Sequence, residues 1–367
     1  MIQPRFVYHH VYHHGMFCGW KDWWVTMSGL PRTIDWIVDH ARLIDQTLLP
    51  DTLVLLEVRD VDTMIEAIKR LAVRGAPAIG VAGALGVAIA ARTAAEEGWG
   101  TGWVHGQADR LAVARPTAVN LAWAVDQMRP FIDAGPDAVL KAAVALLEDD
   151  VVTQRRLGHR GADLVGELCA PAIGRGGVRV HTHCNAGGLA CVEWGTALGI
   201  VRALHERRQV REVLADETRP LLQGARLTAY ELVSMGIAHR VLVDGAGASA
   251  IRLGLVDCVI IGADRIAANG DTANKVGSYP LALAAARAGI PFIVAAPEST
   301  LDTSTPDGDA IHIEERSPDE VHFAGGKRMT PVGSGAWNPA FDVTPADLVT
   351  AIVTDQRVIR PAMGERP

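Results

Sequence analysis

The sequence has few of the features that mark disulfide-rich or zinc-binding proteins. It contains five cysteines, an odd number, in a chain of 367 residues, and no two of them are spaced as a CxxC pair. Chains of this kind are typical of a reducing compartment, where thiols stay free. We therefore expect free cysteines, no metal centre and a cytoplasmic location.

An excess of positive charge is also absent. The chain has 35 lysines and arginines against 42 aspartates and glutamates, which gives a formal net charge of −7 at pH 7. No global positive field would attract nucleic acid or anionic lipid, so neither is expected as a partner. The apolar run from Ala76 to Ala94 is interrupted by Gly and Pro and flanked by Arg. We interpret this run as a buried helix and not as a membrane span.

Residues 1–29 lack the continuous apolar stretch of a secretory signal peptide. They carry clustered histidines and tryptophans instead: His9, His10, His13, His14, Trp20, Trp23 and Trp24. Histidine-rich tracts bind metals in some proteins, and that is one interpretation. The interpretation we favour is an atypical, non-native leader. It would be either an expression scar or an over-extended start, with Met27 as the more natural first residue.

Residues 30–155 show helical patterns and almost no strand pattern. Asp60 or Asp62 is placed to cap a first helix, and a second, very apolar helix is predicted from about residue 79 to 95. A third is predicted to start at residues 115–117, where a proline stands at the helix entry. We therefore predict a small all-helical N-terminal domain over residues 30–155.

After residue 155, short β-branched runs alternate with helical segments. Buried runs separated by crossover-sized segments indicate a parallel sheet built of βαβ units. A capping pattern at Thr344–Asp347 predicts a last helix. The predicted fold class is α/β, with a Rossmann-like doubly wound parallel-sheet domain over residues 156–367. Its predicted strands contain residues 178–180, 212–214, 240–243, 259–261 and 292–294.

Two reactive side chains follow strands of this predicted sheet, and ligands of open parallel sheets bind beyond the carboxyl ends of the strands. Cys184 follows the first strand and precedes a glycine-rich segment. A helix starting there would favour its thiolate, but a small buried hydrophobic residue is an equal alternative. Asp264 follows the fourth strand. It is either a partly desolvated general acid or the ion-pair partner of Arg265.

Other polar groups at the same edge of the sheet are weaker indications of a functional site than Cys184 and Asp264. His181 and His183 share one face of a strand while Cys184 points to the other, so a metal or Cys–His pair is weakly indicated. The segment Asp244–Gly247 resembles part of a dinucleotide fingerprint but lacks the full GxGxxG, which argues against a nicotinamide cofactor.

Taken together, blocks of sequence from about Leu30 to the end resemble the methylthioribose-1-phosphate isomerase family. Its wider superfamily also holds the regulatory subunits of translation initiation factor 2B. A single block would be weak evidence, but all of them occur in order. The blocks are residues 45–50 (DQTLLP), 74–80 (RGAPAIG), 115–121 (RPTAVNL), 182–187 (THCNAG), 217–220 (ETRP), 223–228 (QGARLT), 262–271 (GADRIAANGD), 274–275 (NK) and 338–342 (NPAFD).

The resemblance implies an enzyme that isomerises a sugar phosphate without metal or cofactor, usually as a homodimer. Cys184 stands where the family has its catalytic cysteine, and Asp264 where it has its proton donor. The family's fold is a small helical domain on a Rossmann-like one. The implied substrate-binding residues are Arg74, Gly75, Ala76, Arg115, Gln223, Asn274 and Lys275.

The implied reaction converts 5-methylthioribose 1-phosphate to 5-methylthioribulose 1-phosphate in methionine salvage. An anomeric phosphate blocks ordinary ring opening, so the ring oxygen must be protonated while its bond to C1 breaks. That step needs a neutral Asp264. A hydrogen then moves between C2 and C1, either as a proton handled by Cys184 or as a hydride near it.

Three departures from the family pattern bear on the sugar's C5 group. Residues 244–247 read Asp-Gly-Ala-Gly where Asp-Asn-Met-Ala is usual, Glu193-Trp194 differs from the common residues, and His312 replaces a frequent Pro. The alternatives are therefore isomerases of 5-deoxyribose 1-phosphate or ribose 1,5-bisphosphate. A third alternative, of another class, is a non-catalytic regulatory subunit, which would need neither the acid nor the thiol.

Overall fold

The computed structural model describes residues 30–116 and 118–367. The leader predicted at residues 1–29, with its histidine cluster, lies outside the described residues, and so does Thr117 at the predicted third helix entry.

Helices and strands are numbered in chain order. The helices are α1 (Val61–Lys69), α2 (Ala76–Glu97), α3 (Thr101–Ala112), α4 (Val119–Ile132), α5 (Pro136–Leu168), α6 (Ala170–Gly174), α7 (Ala197–Glu206), α8 (Ala229–Ser234), α9 (Gly247–Arg252), α10 (Ser278–Ala288) and α11 (Asp319–His322). The strands up to residue 267 are β1 (Ile34–Ile37), β2 (His40–Ile44), β3 (Leu55–Val58), β4 (Val178–Thr182), β5 (Val210–Asp216), β6 (His239–Leu242), β7 (Cys258–Ile261) and β8 (Arg265–Ala267). The later strands are β9 (Thr272–Lys275), β10 (Phe292–Ala295), β11 (Leu301–Asp302), β12 (Phe323–Ala324), β13 (Lys327–Arg328), β14 (Phe341–Thr344), β15 (Ala351–Val353) and β16 (Val358–Ile359).

The prediction that residues 30–155 are all helical is wrong, because β1, β2 and β3 form an antiparallel sheet ahead of α1. The β1–β2 turn contains Val38 and Asp39, with Val38 at φ +52°. Asn-Gly or Asp-Gly at these two positions is the usual sequence signal of a hairpin turn. Without that signal, two strands of four and five residues left no clear strand pattern.

The helical part that follows agrees with its sequence pattern. Asp60 caps α1, since its carboxylate accepts a hydrogen bond of 2.7 Å from the Thr63 amide. The apolar helix α2 is the centre of this part, with α1, α3, α4 and α5 packed around it. By length and composition it passes as a membrane span, but 83% of its most apolar window is buried inside the protein. It therefore has the burial of a core helix, as predicted.

The larger parallel sheet has the strand order β16-β15-β10-β7-β4-β5-β6. Its neighbours pair in parallel except β15 and β16. The predicted parallel strands are confirmed as β4, β5, β6, β7 and β10, whereas β15 and β16 were not predicted. Counted along the chain, the six parallel strands follow the order 3-2-1-4-5-6 of doubly wound nucleotide-binding folds. The strand order reverses between β4 and β7, and ligands of such folds bind at that point.

The 33-residue helix α5 contributes to two apolar cores. Its first half places Val139 and Leu147 in the core around α2. Its second half places Leu157 and Val165 in the core against α7 and the parallel sheet. The predicted division at residue 155 falls inside this helix, and it stays a prediction.

The helix predicted at Thr344 is absent from the described chain. Thr344 instead ends β14, paired with Thr272, and only a short 3-10 turn follows at Ala346–Leu348. The amide of Ala346 donates to the Asp271 carboxylate (2.8 Å), so Asp271 takes the place of the expected cap. Strand β15 begins soon afterwards, at Ala351, and its three residues are buried in the core of the sheet.

We expect Asp150 in α5 to give stability a measurable pH dependence. Burial raises its pKa from 3.8 to about 6. Between these values the folded protein keeps a proton that the unfolded chain releases, so stability falls as pH rises. The variant Asp150→Asn has an amide here that cannot ionise. Its stability relative to the wild type should rise by up to about 3 kcal/mol between pH 4 and pH 7.

Thermal melting of both proteins across this pH range measures the effect. Asp149→Asn is the matched control, because Asp149 is the exposed neighbour. A pH-independent difference between wild type and Asp150→Asn would contradict the prediction.

Candidate active site

The point of strand reversal between β4 and β7 opens into a cavity of about 1060 Å³, its open mouth included. All nine residues predicted for the site line it: Arg74, Gly75, Ala76, Arg115, Cys184, Gln223, Asp264, Asn274 and Lys275. Cys184 follows β4 and Asp264 follows β7, so the two strands on either side of the reversal supply the thiol and the acid. The helical part of the chain supplies Arg74–Ala76 and Arg115.

The N-terminus of α2 opens on the cavity. Gly75 precedes the helix at φ +90°, and no described side chain caps the first turn. A Cβ at Gly75 would lie 2.4 Å from the carbonyl oxygen of Ala190, so only glycine fits this close approach. The free amides of a 22-residue helix N-terminus favour an anion.

Arg74 is held beside this helix end by Asn185, the residue after Cys184. Its guanidinium donates to the Asn185 side-chain oxygen at 2.7 Å and also to the Asn185 backbone oxygen. The Asn185 amide group in turn donates to Glu231 at 2.7 Å. Burial raises the pKa of the Glu231 carboxyl. This series of hydrogen bonds, from Arg74 through Asn185 to Glu231, therefore connects α2 to the loop that carries the thiol.

Asp264 lies in a cationic but poorly solvated environment. Burial raises the pKa of its carboxyl, and the positive charges of Lys275, Arg74 and Arg115 oppose this rise. The Asp264 backbone amide donates to Ala273 (2.9 Å), which fixes the residue against β9. The alternative of an ion pair between Asp264 and Arg265 is not found. Arg265 instead lies 3.7 Å from Asp302.

Lys275 is the cation of β9 that faces the cavity. Its ammonium donates to the Ala340 carbonyl (2.7 Å) and lies 4.9 Å from the centre of the Phe341 ring. Burial lowers its pKa, while the nearby Cys184 and Asp264 act in the opposite direction. The preceding Asn274 donates to Ser278 at 2.8 Å. Lys275 and Asn274 are thus oriented before any ligand enters.

Cys184 is half-buried, whereas Cys169, Cys191 and Cys258 are buried. In the described chain no α-helix begins directly after Cys184, so the expected helix N-terminus at the thiol is wrong. A short 3-10 turn follows at Gly188–Ala190, and α7 starts only at Ala197. The glycines after Cys184 serve tight packing instead, since a Cβ at Gly187 would meet Glu231 at 2.3 Å.

Behind the thiol, Asp216 joins two histidines. Its carboxylate oxygens lie 2.9 Å from His181 Nε2 and 2.9 Å from His183 Nδ1. His183 Nε2 lies 2.8 Å from the Val276 carbonyl oxygen. His183, Asp216 and Asp244 are also close enough together to be considered as metal ligands. Each of their ligand atoms already has a hydrogen-bond partner, which favours a structural network over a metal centre.

The sequence did not point to the loop that closes the other side of the cavity. This loop adds Glu314 and Arg316 to the lining. Arg316 donates to Glu314 (3.1 Å) and to Glu320 of α11, so its charge is already paired with two carboxylates. Glu314 raises the pKa of Asp264 further, although less than burial does. The only sequence signal was the run of charges at residues 314–316, which is ordinary for an exposed loop.

Comparison with known proteins identifies the relatives. Residues 72–361 match the Initiation factor 2 subunit family. The chain belongs to this family. A methylthioribose-1-phosphate isomerase of Alkalilimnicola ehrlichii is 48% identical over 335 residues, which cover 89% of this chain and 94% of that protein. The protein therefore falls in the sugar-phosphate isomerase group of the family.

A second relative is larger than this chain. The probable bifunctional methylthioribose-1-phosphate isomerase/methylthioribulose-1-phosphate dehydratase of Nocardia farcinica is 53% identical over 336 residues. The match covers 91% of this chain but 60% of that protein.

Solved structures similar to this chain include proteins named as isomerases and proteins named as translation initiation factor subunits. The 5-methylthioribose 1-phosphate isomerase of Pyrococcus horikoshii OT3 has a TM-score of 0.82 and 40% identity, covering 90% of this chain and 93% of its own. The translation initiation factor eIF-2B, subunit delta, from A. fulgidus has a TM-score of 0.79 at the same 40% identity, covering 91% and 97%. These likenesses confirm the mixed α/β fold with its parallel sheet, but fold alone does not choose between enzyme and regulatory subunit.

We expect Gly75→Ala to destabilise the protein more than the same change at the far end of α2. Gly98 also has a positive φ, +71°, but a Cβ there would meet nothing within 4 Å. Gly98→Ala should therefore cost about 1 kcal/mol from backbone strain. Gly75→Ala adds a clash with the Ala190 backbone, and we expect a total of at least about 2 kcal/mol.

Urea unfolding of the two variants beside the wild type measures these costs. Equal losses at Gly75 and Gly98 would show that the close approach at Ala190 carries no cost.

Proposed function

We infer that the protein isomerises 5-methylthioribose 1-phosphate to 5-methylthioribulose 1-phosphate, as a cytoplasmic enzyme of methionine salvage. The observation that carries this proposal is the meeting of a carboxyl with a raised pKa, Asp264, and a half-buried thiol, Cys184, in one cavity lined by cations. The names of the relatives supply the substrate. The homodimer implied by the family resemblance belongs to the same proposal.

The phosphate would lie at the N-terminus of α2. The backbone amides there and the guanidinium of Arg74 lie on one side of the cavity, and Arg115 and Lys275 also line it. Arginine suits a phosphate dianion because its planar fork offers parallel donors. Burial lowers the pKa of both Arg115 and Lys275, so an incoming dianion stabilises charges that the protein itself solvates poorly.

Asp264 would act as the general acid. It protonates the furanose ring oxygen while the bond from that oxygen to C1 breaks, so the ring oxygen becomes the C4 hydroxyl. The raised pKa keeps the carboxyl protonated at a pH where an ordinary aspartate is ionised. Catalysis of this kind typically gives about 10²–10⁴-fold in rate.

Cys184 would act at the second step. The hydrogen on C2 moves to C1, as a proton taken up by Cys184 or as a hydride beside it. The C2 hydroxyl then loses its proton to the Asp264 carboxylate left by the first step, and C2 becomes the ketone carbon. One proton enters in the first step and one leaves in the second, so the enzyme returns to its starting state.

Two features favour this substrate class over the alternatives. A regulatory subunit needs no acid and thiol in a common cavity, whereas Asp264 and Cys184 both line this one. A bisphosphate needs a further cation, and the additional one here, Arg316, is already paired with Glu314 and Glu320. A sugar with an uncharged C5 group fits this charge balance.

The experiment that tests the function is a phosphorus and proton NMR assay with EDTA present. The purified protein is offered 5-methylthioribose 1-phosphate, 5-deoxyribose 1-phosphate and ribose 1,5-bisphosphate in separate samples. We expect a ketose 1-phosphate from the methylthio sugar, formed faster than from the others. If folded protein converts neither 1-phosphate, the bisphosphate or a regulatory role replaces the proposal.

We expect Asp264→Asn to lower kcat by about 10²–10⁴-fold while sugar-phosphate binding persists. The asparagine keeps the shape of the side chain but has no acidic proton to transfer to the ring oxygen. In the wild type, kcat/KM should fall as pH rises through the raised pKa of Asp264, because the protonated acid is the active form.

Glu314→Gln is the matched control, since it removes a second carboxylate from the same cavity. We expect less than a roughly 10-fold change in kcat from this variant. An active Asp264→Asn would remove Asp264 from the acid role, and a Glu314→Gln as inactive as Asp264→Asn would show that the loss is not specific to Asp264.

A further inference from the structure

The backbone of Cys184 has a conformation that its side chain disfavours. Its φ is +59°, in the left-handed region that residues other than glycine rarely adopt. Residues held there persist only when surrounding contacts fix them, and such residues cluster at functional sites. The position of the thiol therefore depends on whatever holds this peptide.

Two buried threonine hydroxyls hold it, one on each side. The Cys184 amide donates to the Thr218 hydroxyl at 2.9 Å. The Thr228 hydroxyl donates to the Cys184 carbonyl oxygen at 2.6 Å. Both threonines are fully buried, so no water competes with them. The two polar groups of the Cys184 backbone are thus fixed from opposite elements, the loop after β5 and the π-helical turn Gly224–Thr228.

Each hydroxyl is itself oriented by a second partner. The Thr218 hydroxyl donates to the Asp216 carbonyl oxygen at 3.1 Å and accepts from Cys184. The Thr228 hydroxyl accepts from the Asn185 amide group at 3.2 Å and donates to Cys184. A hydroxyl has one proton to donate, and each of these two hydroxyls both donates that proton and accepts a bond. Rotating either hydroxyl away would therefore break its hydrogen bonds.

Asp244 fixes the Thr218 loop from behind. Its two carboxylate oxygens accept from the backbone amides of Thr218 (2.7 Å) and Arg219 (2.6 Å). Thr218 also has a left-handed backbone, with φ +65°. Asp244 is the one residue of segment 244–247 that keeps the usual family identity, and this contact gives it a structural task.

Gly224 makes the arrangement possible. A Cβ at this position would lie 1.7 Å from the Asp216 carbonyl oxygen and 2.9 Å from the Thr218 hydroxyl. Only glycine lets the π-helical turn that carries Thr228 approach the loop that carries Thr218.

We propose that Thr218 and Thr228 are positioning residues that hold Cys184 in its left-handed conformation and so aim the thiol into the cavity. The proposal rests on the proposed catalytic role of Cys184. Neither threonine lines the cavity, so neither is proposed to touch substrate.

The test is Thr218→Val, which keeps the shape of the side chain but removes the hydroxyl. Without its partner the Cys184 peptide relaxes and the thiol moves. We expect kcat to fall about 100-fold, because a misplacement near 1 Å costs that much. KM should change by less than about 3-fold, since the phosphate contacts remain. Thr218→Ser restores the hydroxyl and should recover most of kcat.

Hydrogen exchange at the Cys184 amide gives a readout that needs no substrate. The amide should exchange faster in Thr218→Val than in the wild type, and slowly again in Thr218→Ser. Thr344→Val is the control for loss of a buried hydroxyl. Thr344 is fully buried, and its hydroxyl has no hydrogen-bond partner within the described residues. We expect this control to keep full activity and wild-type exchange.

Unchanged exchange or unchanged kcat in Thr218→Val would overturn the proposal. If Thr218→Val does not fold, Thr228→Val is measured in its place with the same expected results, and Thr228→Ser as its rescue. Failure of the proposed function is seen separately. A Cys184→Ala variant that keeps turnover would remove the thiol from catalysis, whereas the exchange measurement would still report on how its peptide is held.

Discussion

The cavity depends on the contact between the start of α2 and the loop after β4. Arg74 donates to Asn185, and Gly75 lies directly against the Ala190 backbone. These contacts join a helix end that attracts anions to the peptide that carries Cys184. The two come from parts of the chain more than 100 residues apart, and both line the same cavity. The absence of a side chain at Gly75 is therefore as important as the charge of Arg74.

Charge and burial oppose each other throughout the cavity. Burial raises the pKa of Asp264 and lowers the pKa of Lys275. The charge of each residue opposes the pKa shift that burial causes in the other. The pKa of the Asp264 carboxyl therefore stays raised although cations surround it. Arg316 adds no free charge because Glu314 and Glu320 already bind it. This balance agrees with the single phosphate dianion of the proposed substrate.

The sequence predicted most of the parallel sheet because strands such as β7 and β10 are short, apolar and fully buried, so their composition marks them. The three-residue strand β15 is equally buried but too short to stand out. Prediction failed where tertiary contacts decide the structure. Strands β1–β3 lack the usual turn residues, and Thr344 was displaced as a cap by Asp271, which is distant in sequence. Cys184 and Asp264 were predicted from their places after two strands and from the family blocks, and the other site residues from the blocks alone. Neither source shows how the two are held. The proposed positioning roles of Thr218, Thr228 and Asp244 depend on contacts between segments that are distant in sequence. No local sequence pattern predicts them.

The long helix α5 has a consequence for how the protein comes apart. One face of a continuous 33-residue helix is buried in the core around α2, and a later face in the core under the parallel sheet. Melting either half of α5 exposes the apolar side chains that this half contributes to its core. Because both cores share this one helix, we expect the two parts of the chain that line the cavity to unfold together. A chain cut within this helix would leave two fragments, each with an incomplete core.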